Sequence, residues 1–549
     1  MPIALPNLTE ALQKELSMKR FLTSLILCFI VLGNTKADDR PNIVFIFSDD
    51  HAPHAIGAYD GWLKSVNPTP NIDKLASQGM LFKNSFCTNS ICGPSRAVIM
   101  TGKHSHKNGF MNNGNSFDWN QQTFPKLLQK SGYTTALYGK SHLKGTPQGF
   151  DDWKVLPGQG LYYNPDLITP EGTTRIEGHC TDIVTDLAVQ WLKKGRDSEK
   201  PFMLMVQHKA PHRNWMPAPR HLHLYDDIKI PEPATLFDRW RDNAKFARHQ
   251  ELEIDRHMHM NLDLFLDLTK DFDGESVSED FDPSSWENMQ RMSAEQMKVW
   301  RDAYGPKDKE FHESNLACDD LVRWKFQRYA KNYLRCVKGV DESVGTIMDT
   351  LKSMGIDDNT IVIYSSDQGF FIGDHGWFDK RWMYDESLKM PLIVKWPGVT
   401  TAGTKSDLMV QNLDYAETFL DIAGAKIPDD MQGHSLVPLL KGEQPSDWRK
   451  SIYYHYYAYP SVHMVPRHFG VRTKTHKLMK FYQFGDEWEF YDLERDPDEI
   501  TNQYNNPEYA DKIADVREEL ERVRKHYQDD TDVSEKPKKW QDKVLAPSL

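Results

Sequence analysis

A short apolar run near the N-terminus ends in two adjacent carboxylates, and this combination restricts the fold more than any other feature of the chain. Residues 42–47 read Asn-Ile-Val-Phe-Ile-Phe and lead into Ser48, Asp49 and Asp50. An apolar run without polar alternation is typical of a strand that is buried on both faces, as in a parallel sheet covered by helices. Ligands of open α/β sheets bind at the carboxyl ends of such strands. We therefore predict that Asp49 and Asp50 lie at the functional edge of a parallel sheet.

Strand and helix patterns alternate along most of the chain. Comparable apolar runs occur at 134–138, 202–207, 360–365 and 392–395. Helical patterns lie between several of them, notably at 123–131, 181–194 and 326–354. The alternation predicts an α/β fold with a large, mixed, mostly parallel sheet flanked by helices.

The chain is too long for one ordinary domain, and its pattern changes after Trp448. Short aromatic runs, typical of strands, then occur at 451–457, 468–472, 476–482 and 488–492, followed by a charged helical pattern at 507–527. We interpret residues 38–447 as the main, catalytic α/β domain and 448–549 as a C-terminal α+β subdomain with a polar tail. The acidic stretch at 221–325, rich in Trp and Met, lacks strand periodicity and is interpreted as a helical insertion.

The N-terminal segment has the pattern of a secretory leader. Met18 and the basic pair Lys19-Arg20 precede an apolar run at 21–32, which is too short to span a bilayer comfortably, and Ala37 ends a plausible cleavage site. We predict that residues 1–37 are a signal peptide, with Met18 as the true start. The protein is therefore expected to be periplasmic or secreted, without a stable membrane span.

Charge and cysteine content exclude some classes of protein. The formal net charge of -12 argues against a nucleic-acid binder or a general binder of polyanions. An anionic substrate would therefore need a local cluster of cations. The sequence does not decide which cysteines would form disulfides in an oxidising compartment, and isolated thiols are the favoured interpretation. The cysteines concerned are Cys87, Cys180, Cys318 and Cys336.

A second strand candidate also ends in oxygen-bearing side chains. Residues 361–366 are followed by Asp367, Gln368 and Gly369. Either acidic turn alone could simply be a solvent-exposed turn. Two strand ends that present carboxylate and amide oxygens together predict a site for a hard divalent cation.

Several motifs occur in an order that resembles a known family. The run Cys92-Gly93-Pro94-Ser95-Arg96 resembles the C-x-P-x-R signature of type I sulfatases, in which a maturation enzyme oxidises the cysteine to formylglycine. Each motif alone has another explanation, such as a buried cysteine at a helix start or a surface cation. Together, over about residues 41–500, they resemble the sulfatases of the alkaline-phosphatase-like superfamily, similar to those acting on polysaccharides and glycosaminoglycans. The remaining motifs are strand-Asp49-Asp50, Gly139-Lys140-Ser141-His142, Pro211-His212, Asp367-Gln368-Gly369 and Lys380.

The resemblance implies a calcium site and a modified nucleophile. One Ca²⁺ ion would be held by Asp49, Asp50, Asp367, Gln368 and the formylglycine made from Cys92. Many family members have Asn where this chain has Gln368, and both side chains offer an amide oxygen.

The resemblance also implies the roles of the cations and histidines. Arg96, Lys140 and Lys380 would neutralise the sulfate oxygens while a hydroxyl of the hydrated formylglycine attacks sulfur. His212 would protonate the departing alcohol. His142 would then take a proton from the remaining hydroxyl, so that sulfate is expelled and the aldehyde is regenerated.

Substrate contacts are predicted from position alone. Residues near the catalytic motifs that could contact a sugar or a second anion are His375, Arg381, Trp215, His468 and Arg472. A packed loop position is an equally good explanation for the tryptophan.

The sequence thus predicts a sulfatase that hydrolyses sulfate esters of a carbohydrate and depends on a formylglycine-generating maturation enzyme. A phosphonate or phosphodiester hydrolase on the same scaffold is the alternative, because related enzymes also use formylglycine. A non-catalytic carbohydrate-binding protein is less compatible, since every catalytic residue is present. The sequence does not indicate the sugar or the sulfated carbon.

Overall fold

Ten strands form one large sheet through the middle of the molecule. The computed structural model describes residues 40–238, 245–248, 250–266, 284–483 and 485–531. The predicted signal peptide and the end of the polar tail lie outside these residues. The strands up to residue 411, in chain order, are β1 (Asn42–Ser48), β2 (Met80–Phe86), β3 (Thr134–Gly139), β4 (Asp152–Val155), β5 (Asp166–Thr169), β6 (Gly172–Arg175), β7 (Phe202–Gln207), β8 (Thr360–Ser366), β9 (Phe371–Ile372), β10 (Phe378–Asp379), β11 (Leu392–Lys395) and β12 (Thr404–Gln411).

The sheet is mixed and mostly parallel, as predicted. Its order is β12-β2-β11-β8-β1-β7-β3-β4-β5-β6, while β9 and β10 form a separate hairpin. Strand β1 runs parallel to both β7 and β8, and β11 runs antiparallel to β8 and β2. Ser48 of β1 pairs with Ser366 of β8. Asp49 and Asp367 therefore follow neighbouring strands at the same edge, which the sequence predicted.

All five strands predicted in this part of the chain are confirmed within a residue or two. The short edge strands β4, β5 and β6 and the pair β2 and β12 were not predicted. Strand β12 is exposed at alternate positions in its first half and has a register shift between Ser406 and Met409. An edge strand of this kind lacks the continuous apolar run that marks a central strand.

Helices cover both faces of the sheet. Every residue of the central strand β1 is therefore buried. The predicted helices at 123–131, 181–194 and 326–354 are confirmed. In chain order the helices are α1 (Pro70–Gln78), α2 (Cys92–Thr101), α3 (Ser105–Asn108), α4 (Phe124–Lys130), α5 (Cys180–Gln190), α6 (Ser284–Arg291), α7 (Ala294–Ser314), α8 (Cys318–Ser353), α9 (Asp385–Leu388), α10 (Tyr415–Ile422), α11 (Val437–Leu440) and α12 (Ala510–Tyr527).

A second sheet lies in the C-terminal part of the chain, as predicted. Its four antiparallel strands follow one another in order, and α12 packs against them. Val98 of α2 belongs to the same hydrophobic cluster, so this sheet adjoins the helix that begins at Cys92. The strands are β13 (Ser451–Tyr456), β14 (His468–Thr473), β15 (His476–Phe481) and β16 (Glu487–Asp492).

The stretch at 221–325 is helical only in its second half. Helices α6, α7 and the start of α8 account for most of its described residues after 284. Between residues 222 and 266 the described chain is irregular apart from a 3₁₀ turn at Lys245–Arg248. It packs along the β9–β10 hairpin, where Glu253 bridges to Trp377. The prediction of a helical insertion is therefore only partly right.

The five cysteines of the described chain are free thiols, in agreement with the favoured interpretation. None of the helices in the described ranges is long and apolar enough to cross a bilayer.

Candidate active site

Three carboxylates meet where β1 and β8 end. Oxygen atoms of Asp49, Asp50 and Asp367 lie within 4.8 Å of one another, and all three side chains are fully buried. The backbone N–H of Asp50 donates to Asp367 Oδ1 at 3.1 Å, which ties the two strand ends together. Parallel pairing of the strands thus places these acidic side chains in one buried cluster.

The cluster is electrostatically costly without further positive charge. Burial raises the pKa of Asp50 well above its ordinary value despite the opposing charge of Lys380, and burial beside Asp49 raises the pKa of Asp367. Burial also disfavours ionised Asp49, but Lys140 and Arg96 outweigh it and hold the pKa of Asp49 well below its usual range. Two of three neighbouring carboxylates are therefore poorly compensated by the protein alone.

Gln368 completes this cluster. Its Nε2 donates to Asp50 Oδ1 at 2.5 Å and to Asp367 Oδ1 at 2.7 Å, whereas its buried Oε1 has no hydrogen-bond partner among the described residues. Three carboxylates and one unpaired amide oxygen form a set of hard oxygen donors. Such a set fits a divalent cation such as Ca²⁺.

Cys92 is the first residue of α2 and faces the cluster. Its Sγ lies 3.4 Å from Asp49 Oδ1, and only 1% of the residue is exposed. Burial raises the pKa of its thiol to about 12. At neutral pH the unmodified side chain is a neutral thiol, which is a poor nucleophile.

A close approach explains the glycine that follows. A Cβ on Gly93 would lie 2.6 Å from the ring of Phe110, 2.8 Å from Asn113 Oδ1 and 3.2 Å from the carbonyl oxygen of His142. The backbone of Gly93 donates to Asn113 Oδ1 at 3.1 Å. The segment bearing Cys92 therefore packs directly against the segment bearing His142.

Three buried cations surround the carboxylates. Arg96 Nε donates to Asp367 at 3.0 Å and Arg96 Nη2 donates to Asp49 at 3.0 Å. Lys140 forms an ion pair with Asp49, and Lys380 Nζ lies 2.7 Å from Asp50. The cluster of cations that an anionic substrate requires is therefore present, although the net charge of the chain is negative.

Two histidines lie at the same edge. Nε2 of His212 is 3.8 Å from Asp50 Oδ2, and its Nδ1 is 2.5 Å from the carbonyl oxygen of Arg213. That carbonyl can only accept, so Nδ1 carries a proton and Nε2 is the atom that faces the carboxylates. His142 is partly buried, and its Nδ1 has no hydrogen-bond partner. Burial, reinforced by the charge of Lys140, lowers the pKa of both histidines well below the ordinary value.

A polar wall that the sequence did not reveal stands beside Lys380. Asp379 lies 3.2 Å from Arg381 Nε and 3.4 Å from His463 Nε2, and that same histidine nitrogen is 3.2 Å from Arg213 Nη1. Burial alone would raise the pKa of Asp379, but Lys380 and Arg381 hold it well below its usual value. The position of Asp379 next to Lys380 was a usable signal. His463, from the loop between β13 and β14, had none.

Four of the five predicted substrate contacts are not placed for that role. Trp215 is fully buried, with its ring centre 4.4 Å from that of Tyr329 in an aromatic core, so it does not present a face to a sugar. His468 is also fully buried and donates from Nδ1 to Pro466 O at 2.8 Å; burial lowers its pKa to about 3. The structure thus places both side chains in the interior, because a position near a motif does not define where a side chain points.

The other two belong to buried ion pairs. Arg472 forms a two-pronged contact with Asp385, at 3.0 and 2.8 Å. His375 Nδ1 lies 2.9 Å from Asp238, and only 1% of the residue is exposed. These residues stabilise the surroundings of the site instead of facing it. Arg381 differs from these four, since it pairs with Asp379 directly beside Lys380.

Known families match the chain over most of its length. A family model described as Sulfatase matches residues 41–425, and one described as N-sulphoglucosamine sulphohydrolase, C-terminal, matches residues 373–526. An N-acetylglucosamine-6-O-sulfatase of Bacteroides thetaiotaomicron is 46% identical over 496 residues, which cover 89% of this chain and 87% of that protein. The N-acetylglucosamine-6-sulfatase of Homo sapiens is 26% identical over 458 residues, covering 78% of this chain and 69% of the relative.

Solved structures give the same result for the fold. One, described in complex with its substrate D-glucosamine-2-N,6-O-disulfate, has a TM-score of 0.86 and 44% identity, and the match covers 90% of this chain and 100% of that chain. A phosphonate monoester hydrolase from Silicibacter pomeroyi has a TM-score of 0.64 at 20% identity, over 90% of this chain and 96% of that one. At that identity the likeness extends to the fold alone.

Proposed function

The chain belongs to the sulfatase family, and on that premise we propose that it hydrolyses the sulfate ester at O6 of glucosamine units in a sulfated carbohydrate. Its fold is that of the alkaline-phosphatase-like sulfatases, and its activity is that of a sulfuric ester hydrolase. The observation that carries the choice of substrate is the 46% identity, over 89% of the chain, to an N-acetylglucosamine-6-O-sulfatase. The related structure at 44% identity is described with a 6-O-sulfated glucosamine as its substrate.

The buried carboxylates support one bound Ca²⁺ ion. It would be held by oxygen atoms of Asp49, Asp50, Asp367 and Gln368, with the side chain made from Cys92 beside it. Bound there, the cation would withdraw charge from the sulfate oxygens, and a hydrated formylglycine would supply the attacking hydroxyl. The neutral thiol of Cys92, with its pKa raised to about 12, supports the need for conversion by a maturation enzyme.

Cations of the chain would bind and orient the sulfate group. Lys140 pairs with Asp49, whose Oδ1 is 3.4 Å from the Cys92 sulfur, and Lys380 pairs with the adjacent Asp50, so both ammonium groups lie on the carboxylates next to Cys92. Arg96 braces Asp49 and Asp367 from one turn farther along α2. The N-terminus of α2 adds its partial positive charge where negative charge develops.

The histidines would move the protons. His212 holds one proton on Nδ1 through the carbonyl of Arg213, so it would have to take up a second proton on Nε2, the atom facing Asp50 at 3.8 Å, and would pass that proton to O6 of the sugar as the ester bond breaks. His142, whose carbonyl oxygen lies close to Gly93, would accept a proton when the enzyme is regenerated. Asp379, Arg381 and His463 form the wall that would receive the hydroxyl groups of the sugar ring.

Turnover of defined saccharides tests this proposal. Protein expressed with a formylglycine-generating enzyme is assayed for sulfate release from N-acetylglucosamine-6-sulfate, glucosamine-2-N,6-O-disulfate and galactose-6-sulfate, and for phosphate release from an aryl phosphate. We expect sulfate release from both glucosamine substrates and at least about a hundredfold lower kcat/KM for galactose-6-sulfate, which has an inverted hydroxyl at C4 and no nitrogen at C2, because polar groups of the sugar wall would be left unpaired by the mismatched substituents. Cys92→Ala serves as the control for background release.

Preference for galactose-6-sulfate would refute the choice of sugar, and dominant phosphate hydrolysis would refute the choice of ester. The phosphonate hydrolase alternative is supported only by a shared fold. For location, we propose a periplasmic or secreted enzyme, on the basis of the leader pattern at 1–37. N-terminal sequencing of mature protein should begin at Asp38, and a start well upstream would contradict the leader.

A further inference from the structure

Asp263, in the insertion that precedes α6, reaches the wall of the active site. Its carboxylate is fully buried and accepts four hydrogen bonds. Oδ1 accepts from Arg213 Nε at 2.7 Å and from Asn214 Nδ2 at 2.9 Å. Oδ2 accepts from Arg213 Nη2 at 2.8 Å and from the backbone N–H of His259 at 2.9 Å. One side chain of the insertion thus fixes two consecutive residues of the segment that follows β7.

Those two residues come directly after His212. The carbonyl oxygen of Arg213 is the partner of His212 Nδ1, at 2.5 Å. The remaining guanidinium nitrogen of Arg213, Nη1, lies 3.2 Å from His463 Nε2. The Cζ atom of Arg213 lies over the ring of Phe378, 5.3 Å from the ring centre. Arg213 therefore connects the insertion, the His212 segment and the sugar wall.

We propose that Asp263 is a positioning residue that orients His212 for proton donation. By holding the side chains of Arg213 and Asn214, Asp263 fixes the peptide group whose oxygen sets the rotation of the His212 ring. The inference rests on the proposed role of His212 as the proton donor. It gives the insertion, which carries none of the sulfatase motifs, an indirect part in the reaction, through Arg213 and the orientation of His212.

Comparing two substrates with different leaving groups distinguishes a positioning role of Asp263 from a purely structural one. A sugar alkoxide is a poor leaving group and needs a proton as the ester bond breaks, whereas a nitrophenolate leaves readily without one. A misplaced His212 should therefore slow the sugar ester and spare the aryl ester. General destabilisation of the fold would slow both alike.

Asp263→Asn is the test variant, because the amide offers a single acceptor oxygen to four donors. Asp414→Asn is the matched control. Asp414 is likewise fully buried and accepts from both terminal nitrogens of Arg449, at 2.6 and 2.5 Å, and from the backbone N–H groups of Gln411 and His434, at 2.8 and 2.9 Å. It lies in a different part of the fold, at the start of α10.

The measurement is kcat and KM for N-acetylglucosamine-6-sulfate and for 4-nitrophenyl sulfate, with matured protein. For Asp263→Asn we expect kcat on the sugar ester to fall about 10- to 100-fold, since small misplacements of a reacting group cost rate on this scale. The loss on the aryl ester should stay within about threefold, and KM for the sugar should change little. His212→Ala should show the same discrimination more strongly, and Asp414→Asn should leave the ratio of the two kcat values unchanged.

Arg213→Lys is the second variant, in case Asp263→Asn folds poorly. Lysine keeps the charge but loses the two-pronged contact, so the ratio should move in the same direction. A ratio equal to that of the wild type in both variants, with His212→Ala discriminating, would overturn the role of Asp263. No discrimination by His212→Ala would overturn the proton-donor role itself and this inference with it.

Discussion

Replacing Gln368 with leucine tests whether the buried carboxylates form a metal site. Leucine keeps a similar volume but removes the unpaired Oε1 and the two hydrogen bonds that Nε2 donates to Asp50 and Asp367. In metal-free protein, two hydrogen bonds to charged groups contribute about 3–6 kcal/mol together, and relief of a buried unpaired oxygen returns about 1–3 kcal/mol. The difference between the midpoints of these two ranges gives an expected net loss of unfolding free energy of about 2.5 kcal/mol.

The diagnostic effect is on the stabilisation that the metal confers. Loss of a group that supports a ligand already weakens binding about 10- to 100-fold, and Gln368 would be a ligand itself. At calcium concentrations that saturate the wild-type site, such weaker binding corresponds to about 1.4–2.7 kcal/mol less stabilisation by the ion. Gln368→Leu should therefore lose more unfolding free energy, relative to the wild type, in the presence of calcium than in the presence of chelator.

Unfolding is followed across a calcium titration, from excess chelator to millimolar calcium, for the wild type, Gln368→Leu and Gln411→Leu. Gln411 is also fully buried, but its Nε2 donates to Tyr453 O at 3.1 Å, in another part of the fold. The control should lose stability equally at every calcium concentration. An unchanged calcium dependence in Gln368→Leu would refute the assignment of this residue to the metal site.

Three further outcomes follow from the site and its surroundings. Cys92→Ala should abolish sulfate release while the unfolding free energy changes by no more than about 1–2 kcal/mol, because a single small buried group is lost; residual turnover above background would contradict its role. Trp215→Ala should lower stability by about 3–5 kcal/mol, while Trp215→Phe should leave KM for the sugar ester unchanged; a raised KM in the phenylalanine variant would restore this residue as a substrate contact. Burial disfavours charge on His375, yet its bond to Asp238 and the charge of Glu386 raise its pKa to about 9. Protonated His375 therefore stabilises the folded state fully below the ordinary histidine pKa, and this contribution is lost as pH rises toward 9. His375→Gln should remove this fall in the free energy of unfolding between those two pH values.

The elements that carry the site could be predicted because their signals are local. The strand that ends at Asp49 and the strand that ends at Asp367 are continuous apolar runs, and such runs predict central strands regardless of context. Parallel strands place their carboxyl ends at one edge, so the acidic cluster followed from strand assignment alone. The motifs at Cys92 and His212 lie on the segments that reach this edge.

The surroundings of the site could not be predicted because they depend on side-chain direction and long-range packing. His375 and Arg381 lie six residues apart around the same hairpin, yet one faces Asp238 in the interior and the other lies beside Asp379 at the wall. Asp263 meets Arg213, which lies 50 positions away in the sequence. No periodicity or motif marks such a contact.

The order of strands in the large sheet also sets the order in which the molecule can fold. Strand β1 pairs with β8, whose residues are synthesised more than three hundred positions later. Until then one edge of the central strand is open, and a ribosome-bound chain exposes apolar surface that favours association with other chains. During the same interval α2 lacks its neighbours from the C-terminal sheet. The proposed conversion of Cys92 by a maturation enzyme would therefore have to take place then, because the residue is only 1% exposed in the folded protein.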